Sequence, residues 1–237
     1  MTESTLTSLW SALVVRGPLE SSVLPAVEAS GTRVDARFDP TTVLMSDIEA
    51  GRVPDVLIST TASLQGVPEH LLDLSTVRPL ISTAIGLGVA PGTPKPPIGT
   101  VSELVQTLRG ARSVAYSKTG QSGIYFRELL DRLGIADEVD AKATVLPKGF
   151  TGEAVIDGRA DLAVQQISEL RFVPGVEIVG PLPDEVQRTT EFSYLLSVAA
   201  RSNPHAVALY SALSTAGAAA AYTEVGLEPL FDATEER

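Results

Sequence analysis

The chain contains no cysteine and only two histidines, and it has no run of basic residues. Without cysteine there can be no disulfide, no thiolate metal site and no cysteine nucleophile, nor a cysteine for a lipoprotein anchor. His70 and His205 lie far apart and share no ligand spacing with other donors, so a metal centre and a Ser-His-Asp triad both lack their parts. The 18 Lys and Arg are scattered among 29 acids, giving a formal charge of −11. That balance argues against nucleic acid as a partner and suits a solvated acidic surface. The stretch MTESTLTSLWSALVVRG has no early Lys or Arg, and serines interrupt its short apolar part, so it reads as neither a secretory signal nor a membrane span. The chain as written is expected to be cytoplasmic and not a membrane protein. If an export signal has been removed, the expectation becomes periplasmic or extracellular.

What is present is an ordinary globular composition, 44% hydrophobic and 20% charged over 237 residues, enough for one large domain or two small ones. Strand and helix patterns alternate, which predicts an α/β protein with parallel strands. Strands are expected at Leu6 to Trp10, Val34 to Phe38, Asp55 to Ser59, Ser113 to Ser117, Asp161 to Gln165, Val176 to Val179 and Glu191 to Ala199. Helices are expected over Val15 to Ala29, from Pro40 to a stop at Gly51, and after Thr100, whose spacing to Glu103 is that of a capping box. Further helices are predicted over Ser122 to Leu133, Gly152 to Asp157, and from Asn203-Pro204 to about Tyr222. Two βα groups with a strand and helix left over imply two lobes. Lobe 1 would take residues 1–83 and 190–237, lobe 2 residues 84–189, with two hinge crossings and a ligand cleft between them.

The richest polar signal is the pair Ser113–Leu133 (SVAYSKTGQSGIYFRELLDRL) and Ala160–Glu169 (ADLAVQQISE). Each runs from an apolar strand into hydroxyls, amides or glycines, at the carboxyl ends where open α/β sheets bind ligands. Lys118 and Thr119 invite comparison with a phosphate loop, but the order of glycines and lysine is wrong, and IGLGVA lacks the third glycine of a dinucleotide fingerprint. No cofactor is implied. What remains suits an anion: Ser11, Thr41, Thr42, Thr60 and Ser122 with Gly123 fall where strands end and helices or loops begin. Each alone also reads as an N-cap. Arg16 can pair with a carboxylate from the first helix or lie on a solvated face. Gln165 and Gln166 must point to opposite faces of a strand, and the strand-end position favours Gln166 for the cleft. Glu169 reads as an orienting group, a base, or a surface acid at a helix start. Tyr125 reads as packing, with a hydroxyl that could line the hinge.

YSKTGQSGIYFRELLDRLGI, GRADLAVQQISEL and GVEIVGPLP, with WSALVVRGPLE, FDPTTVLMSDIEAG and PDVLIS ahead of them, resemble the type II periplasmic-binding-protein family in its molybdate-binding branch. The resemblance, over roughly Leu6 to Pro229, implies two lobes, each a mostly parallel sheet flanked by helices. It also implies a small-anion solute-binding protein that closes by hinge motion without covalent chemistry. Carried onto this chain, its oxyanion pocket falls on Ser11 or Ala12, Thr41 or Thr42, Ser122, the loop around Gly149 and Phe150, and Gln166. Gln166 stands where molybdate binders usually place tyrosine, and Thr41-Thr42 where they place a serine-glycine pair, so an organic carboxylate is an equal candidate. The branch is also similar to aconitate isomerases, which implies an alternative: cofactor-free isomerisation of an unsaturated di- or tricarboxylate, with Glu169 as the base. A cytoplasmic ligand sensor is a third reading. The implied partners are a small anionic ligand and, for an exported protein, an ABC permease.

Overall fold

The computed structural model describes residues 6–233, which fall into two compact units, one of residues 6–82 and 190–233, the other Thr83–Thr189. Strands are numbered in chain order: β1 Thr7–Ser11, β2 Val34–Phe38, β3 Val56–Thr60, β4 Arg78–Thr83 and β5 Ile85–Val89. There follow β6 Val114–Ser117, β7 Thr144–Leu146, β8 Leu162–Gln166, β9 Glu177–Pro181, β10 Thr190–Leu196 and β11 Glu228–Pro229.

The sheet of the first unit has the order β11-β4-β10-β3-β1-β2. β1 is parallel to β2 and β3, whereas β10 runs antiparallel to β3 and β11 antiparallel to β4. β3 is buried along its whole length, and its apolar run Val56–Ile58 is that of a strand covered on both faces. Val56 and Ile58 pack on one side with Leu9, Leu19, Leu209 and Tyr222, and Leu57 on the other with Leu44, Ile48, Leu72 and Leu195. The first helical stretch is irregular for a local reason. Pro25 has no N–H to give the carbonyl four residues back, and the backbone widens into a π-helical turn over Leu19–Val23 just before it. The Ala-rich C-terminal helix expected to reach Tyr222 is instead two helices, Pro204–Ala212 and Ala216–Glu224. Thr215 accepts the amide of Ala218 at 3.2 Å and so starts a new helix.

The sheet of the second unit has the order β7-β6-β8-β5-β9, with β6 parallel to β7 and β8, and β5 antiparallel to β8 and β9. Leu104 and Leu108 of helix Val101–Gly110 and Phe126, Leu129 and Leu130 of helix Gln121–Arg132 cover one face. The former helix begins with the expected capping box, Thr100 and Glu103 each accepting the other's amide. The glycines of IGLGVA are explained by packing on β5. A Cβ at Gly86 would lie 2.7 Å from the Gly180 carbonyl oxygen and 2.8 Å from Ile167, and one at Gly88 would lie 2.8 Å from Val176. Their absence of side chain lets the chain after β8 lie directly on the strand.

Candidate functional site

Both sheets place candidate donors at the carboxyl edge of three parallel strands. In the second unit Ser117 is level with Leu146, and β8 runs alongside β6, so the segments after β6, β7 and β8 leave from one edge. After β6 the chain turns through Lys118–Gly120, with the Gly120 amide donating to the Ser117 hydroxyl at 3.1 Å, and enters the helix Gln121–Arg132. Ser122 is buried in its first turn, and no described residue hydrogen-bonds its hydroxyl. The opening amides of this helix have no intrahelical acceptors, so they and the hydroxyl form a ready anion end. Gly123 makes the arrangement possible. A Cβ there would sit 1.8 Å from the Ser117 carbonyl oxygen, so any other residue would push the helix off the strand end.

The loop after β7 is held by a residue passed over in favour of its neighbour. Gly149 turns the chain at φ 96°. The buried amide of Gln165 then accepts from the Thr151 N–H at 2.7 Å and from the Thr151 hydroxyl at 2.9 Å, while its nitrogen donates to the Gly149 carbonyl at 3.0 Å. Gln166, also buried, stands at the N-cap of the helix Ile167–Phe172, and the Glu169 carboxylate accepts from its N–H at 3.3 Å. Glu169 is therefore no surface acid. Burial pushes its carboxyl up to about 8, while the Gln166 N–H and the Gln165 side chain, both favouring the carboxylate, pull the other way. Tyr125 is a packing residue, its hydroxyl donating to the Val186 carbonyl at 2.8 Å and accepting from Arg132 at 2.7 Å.

In the first unit Ser11 is level with Phe38 and Ile58, which brings the ends of β1, β2 and β3 side by side. Thr41 opens the helix Thr41–Glu49 and Thr60 ends β3; both are buried, and no described residue hydrogen-bonds either hydroxyl. Thr42, by contrast, is exposed. Ser11 donates its hydroxyl to the Ala12 carbonyl at 2.9 Å, which leaves its oxygen able only to accept. The Ala12 amide is already given to the Ile58 carbonyl at 2.9 Å, so it has no hydrogen for a ligand. Arg16 forms an i,i+4 ion pair with Glu20 at 2.9 Å, with its guanidinium 5.5 Å above the Phe38 ring. Among the described residues no group of His, Cys, Asp and Glu could hold a metal, and no helix is long and apolar enough to cross a membrane. His205 meets the Thr32 hydroxyl at 3.2 Å.

Residues 24–228 match the family described as bacterial extracellular solute-binding protein. The chain belongs to that family. An aconitate isomerase from a Pseudomonas species is 35% identical to this solute-binding family member over 196 residues, 82% of this chain and 70% of the relative. Among solved structures, the periplasmic molybdate-binding protein of Azotobacter vinelandii superposes with a TM-score of 0.75 at 17% identity, covering 93% of this chain and 98% of the other. The sulfate-binding protein SubI of Mycobacterium tuberculosis gives 0.73 at 17% identity, covering 97% and 88%. The fold is that of the type II periplasmic binding proteins.

Two features of this family member escaped sequence reasoning. Gln165 was recognisable only as the strand neighbour that must face away from Gln166; its role as clasp of the Gly149–Thr151 loop needed the tertiary structure. A hydroxyl cluster beyond β3 was missed as well. Thr61 and Ser193 hydroxyls lie 2.7 Å apart, Ser59 and Ser63 lie 3.2 Å apart, and Ser193 is level with Ser59 on β10. The SxxxS spacing of Ser59 and Ser63 was its signal in the sequence.

Proposed function

We propose that the protein binds a small organic polyanion, a di- or tricarboxylate, at the carboxyl edge of the parallel strands of the second unit. The observation that carries this reading is Ser122: a buried, uncommitted hydroxyl in the first turn of a 12-residue helix, backed by a glycine that the packing requires. Helix amides and hydroxyls stabilise negative charge without a counter-cation. Thr41 and Thr60 repeat the arrangement in the first unit. A carboxylate rather than a metal oxyanion is favoured by the aconitate isomerase relative and by Gln166, an amide able both to donate and to accept, where molybdate binders use tyrosine. As a solute carrier, the protein would act outside the cytoplasm and deliver its ligand to a membrane permease. Calorimetric titration with aconitate, citrate, succinate, sulfate and molybdate tests the reading. Saturable binding of a carboxylate supports it, and silence towards all five rejects it.

A second reading, isomerisation of a bound unsaturated tricarboxylate, is favoured by one specific observation: Glu169 is buried, with its carboxyl raised to about 8, close to the range of a general base at neutral pH. The same carboxylate accepts the Gln166 amide and so already serves the helix start. Catalysis would require it to remove a substrate proton from that position. NMR of aconitate in deuterium oxide decides between the readings. Exchange at carbon that disappears in Glu169→Gln supports catalysis, and no exchange with wild type leaves binding alone.

A further inference from the structure

The first unit contains a cavity of about 580 Å³ that shares no residue with the anion site above. It is lined by Arg78 and Pro79 at the start of β4, Tyr194 of β10, Tyr210 and Ser214 around the end of helix Pro204–Ala212, and Phe231 beyond β11. Its size lies within the range of small-molecule sites. Its described walls combine one cation with the rings of Tyr210 and Phe231, backed by the buried Tyr194.

The cation is set apart from several others of the chain. Arg109, Arg112 and Arg159 each hold a carboxylate, with Glu138, Asp161 and Asp157 respectively. Arg78 has no carboxylate within ion-pair distance among the described residues. One terminal nitrogen donates to the carbonyls of Val77 at 2.8 Å and Ser75 at 3.3 Å, leaving the other two nitrogens of the fork without acceptors among the described residues. A net charge of −11 supplies many acids that could have been placed there. The rings are committed differently. Tyr194, buried, gives its hydroxyl to Ser214 at 2.9 Å and Tyr210 gives its own to the Thr76 carbonyl at 2.6 Å, so Tyr210 offers the cavity ring surface rather than a donor, with Tyr194 packed behind it. Their centroids are 4.7 Å apart. The charge of Arg78 is felt at both rings.

We infer that this cavity is a second binding site, for an aromatic carboxylate, with the free edge of the Arg78 guanidinium on the carboxylate and the Tyr210 and Phe231 rings on the ligand's ring. A planar fork matches a carboxylate in two parallel hydrogen bonds. Tilted aromatic walls favour an aryl group over an alkyl one of equal size. An aliphatic polycarboxylate, suited to the other site, would leave those walls unused.

The probe is 3-phenylpropionate, titrated into the full chain by calorimetry and by ligand-observed NMR, with 3-phenylpropanol and hexanoate as comparisons. Saturable binding in the millimolar range or tighter is expected for the aryl acid. Arg78→Ala and Phe231→Ala should each weaken it by roughly tenfold or more. Ser122→Ala should leave it unchanged, because that residue belongs to the other site. Arg78 is exposed, so its replacement should not move the unfolding midpoint. Failure of the aryl acid to saturate, equal binding by Arg78→Ala, or loss of binding in Ser122→Ala would each overturn the assignment. Equal affinity for the alcohol would do so too.

Discussion

Replacing Glu169 with glutamine should make the stability of the second unit nearly indifferent to pH in a range where the wild type is not. The carboxyl is buried, no cation offsets it, and its folded value is raised from the ordinary 4.5 to about 8. Between those two values the folded chain keeps a proton that the unfolded chain has released. Stability therefore falls as pH rises through that window and levels above about 8. At ~1.4 kcal/mol per pH unit, the full effect is bounded at about 5 kcal/mol. Glutamine keeps a carbonyl to accept the Gln166 amide, so the capping arrangement survives while the charge does not. Other titrating groups, such as Asp47 held low by Arg37 and Arg52, are common to both proteins and cancel in the comparison. The assay is hydrogen exchange of peptides covering Ile167–Phe172 under increasing urea, at pH values from 5 to 8. The variant should gain on the wild type by several kcal/mol across that range. Parallel profiles would refute the reasoning, because they would mean that the carboxyl is already ionised or already solvated when folded.

Gly123→Ala should cost about 3 kcal/mol or more, since the new methyl would meet the Ser117 carbonyl, whereas Gly110→Ala, with open space around it, should be neutral or stabilising by up to about 1 kcal/mol. Denaturant unfolding of both variants checks this, and equal effects would contradict the packing described. Gln165→Leu strands the buried Thr151 amide and frees the Gly149 carbonyl, so it should destabilise by roughly 2–4 kcal/mol and speed amide exchange across residues 149–151. Protection unchanged in that loop would show that the clasp is not needed.

Much of the fold was legible because its central strands are apolar runs bounded by turn chemistry: VLIS before Thr60, VAYS before the glycine turn, LAVQQ before the Glu169 helix start. Capping signals were equally readable, as at Thr100 with Glu103, and Gly51 and Gly134 adopt the positive φ expected of helix stops. β4 and β5 were opaque because a proline and two glycines break their strand patterns, and only the tight contacts of Gly86 and Gly88 explain them. β7 and the helix Ala136–Asp140 are too short for periodicity to register. At the candidate site, the sequence could place polar residues at strand ends but not allot their hydrogen bonds. That Ala12 spends its amide on Ile58, that Gln165 rather than Gln166 secures the Gly149 loop, and that Glu169 is buried all depend on which strands become neighbours.

Calorimetric titration of the five anions into wild type and Ser122→Ala, paired with thermal unfolding, is the direct test of carboxylate binding. Saturable binding with a carboxylate preferred is expected, with stabilisation of ~2.7 kcal/mol at one hundred times the dissociation constant. Affinity should be roughly tenfold weaker in Ser122→Ala, with the ligand-free unfolding midpoint unchanged. Binding of equal strength in the two proteins, or neither heat nor stabilisation with any of the five, would contradict this expectation.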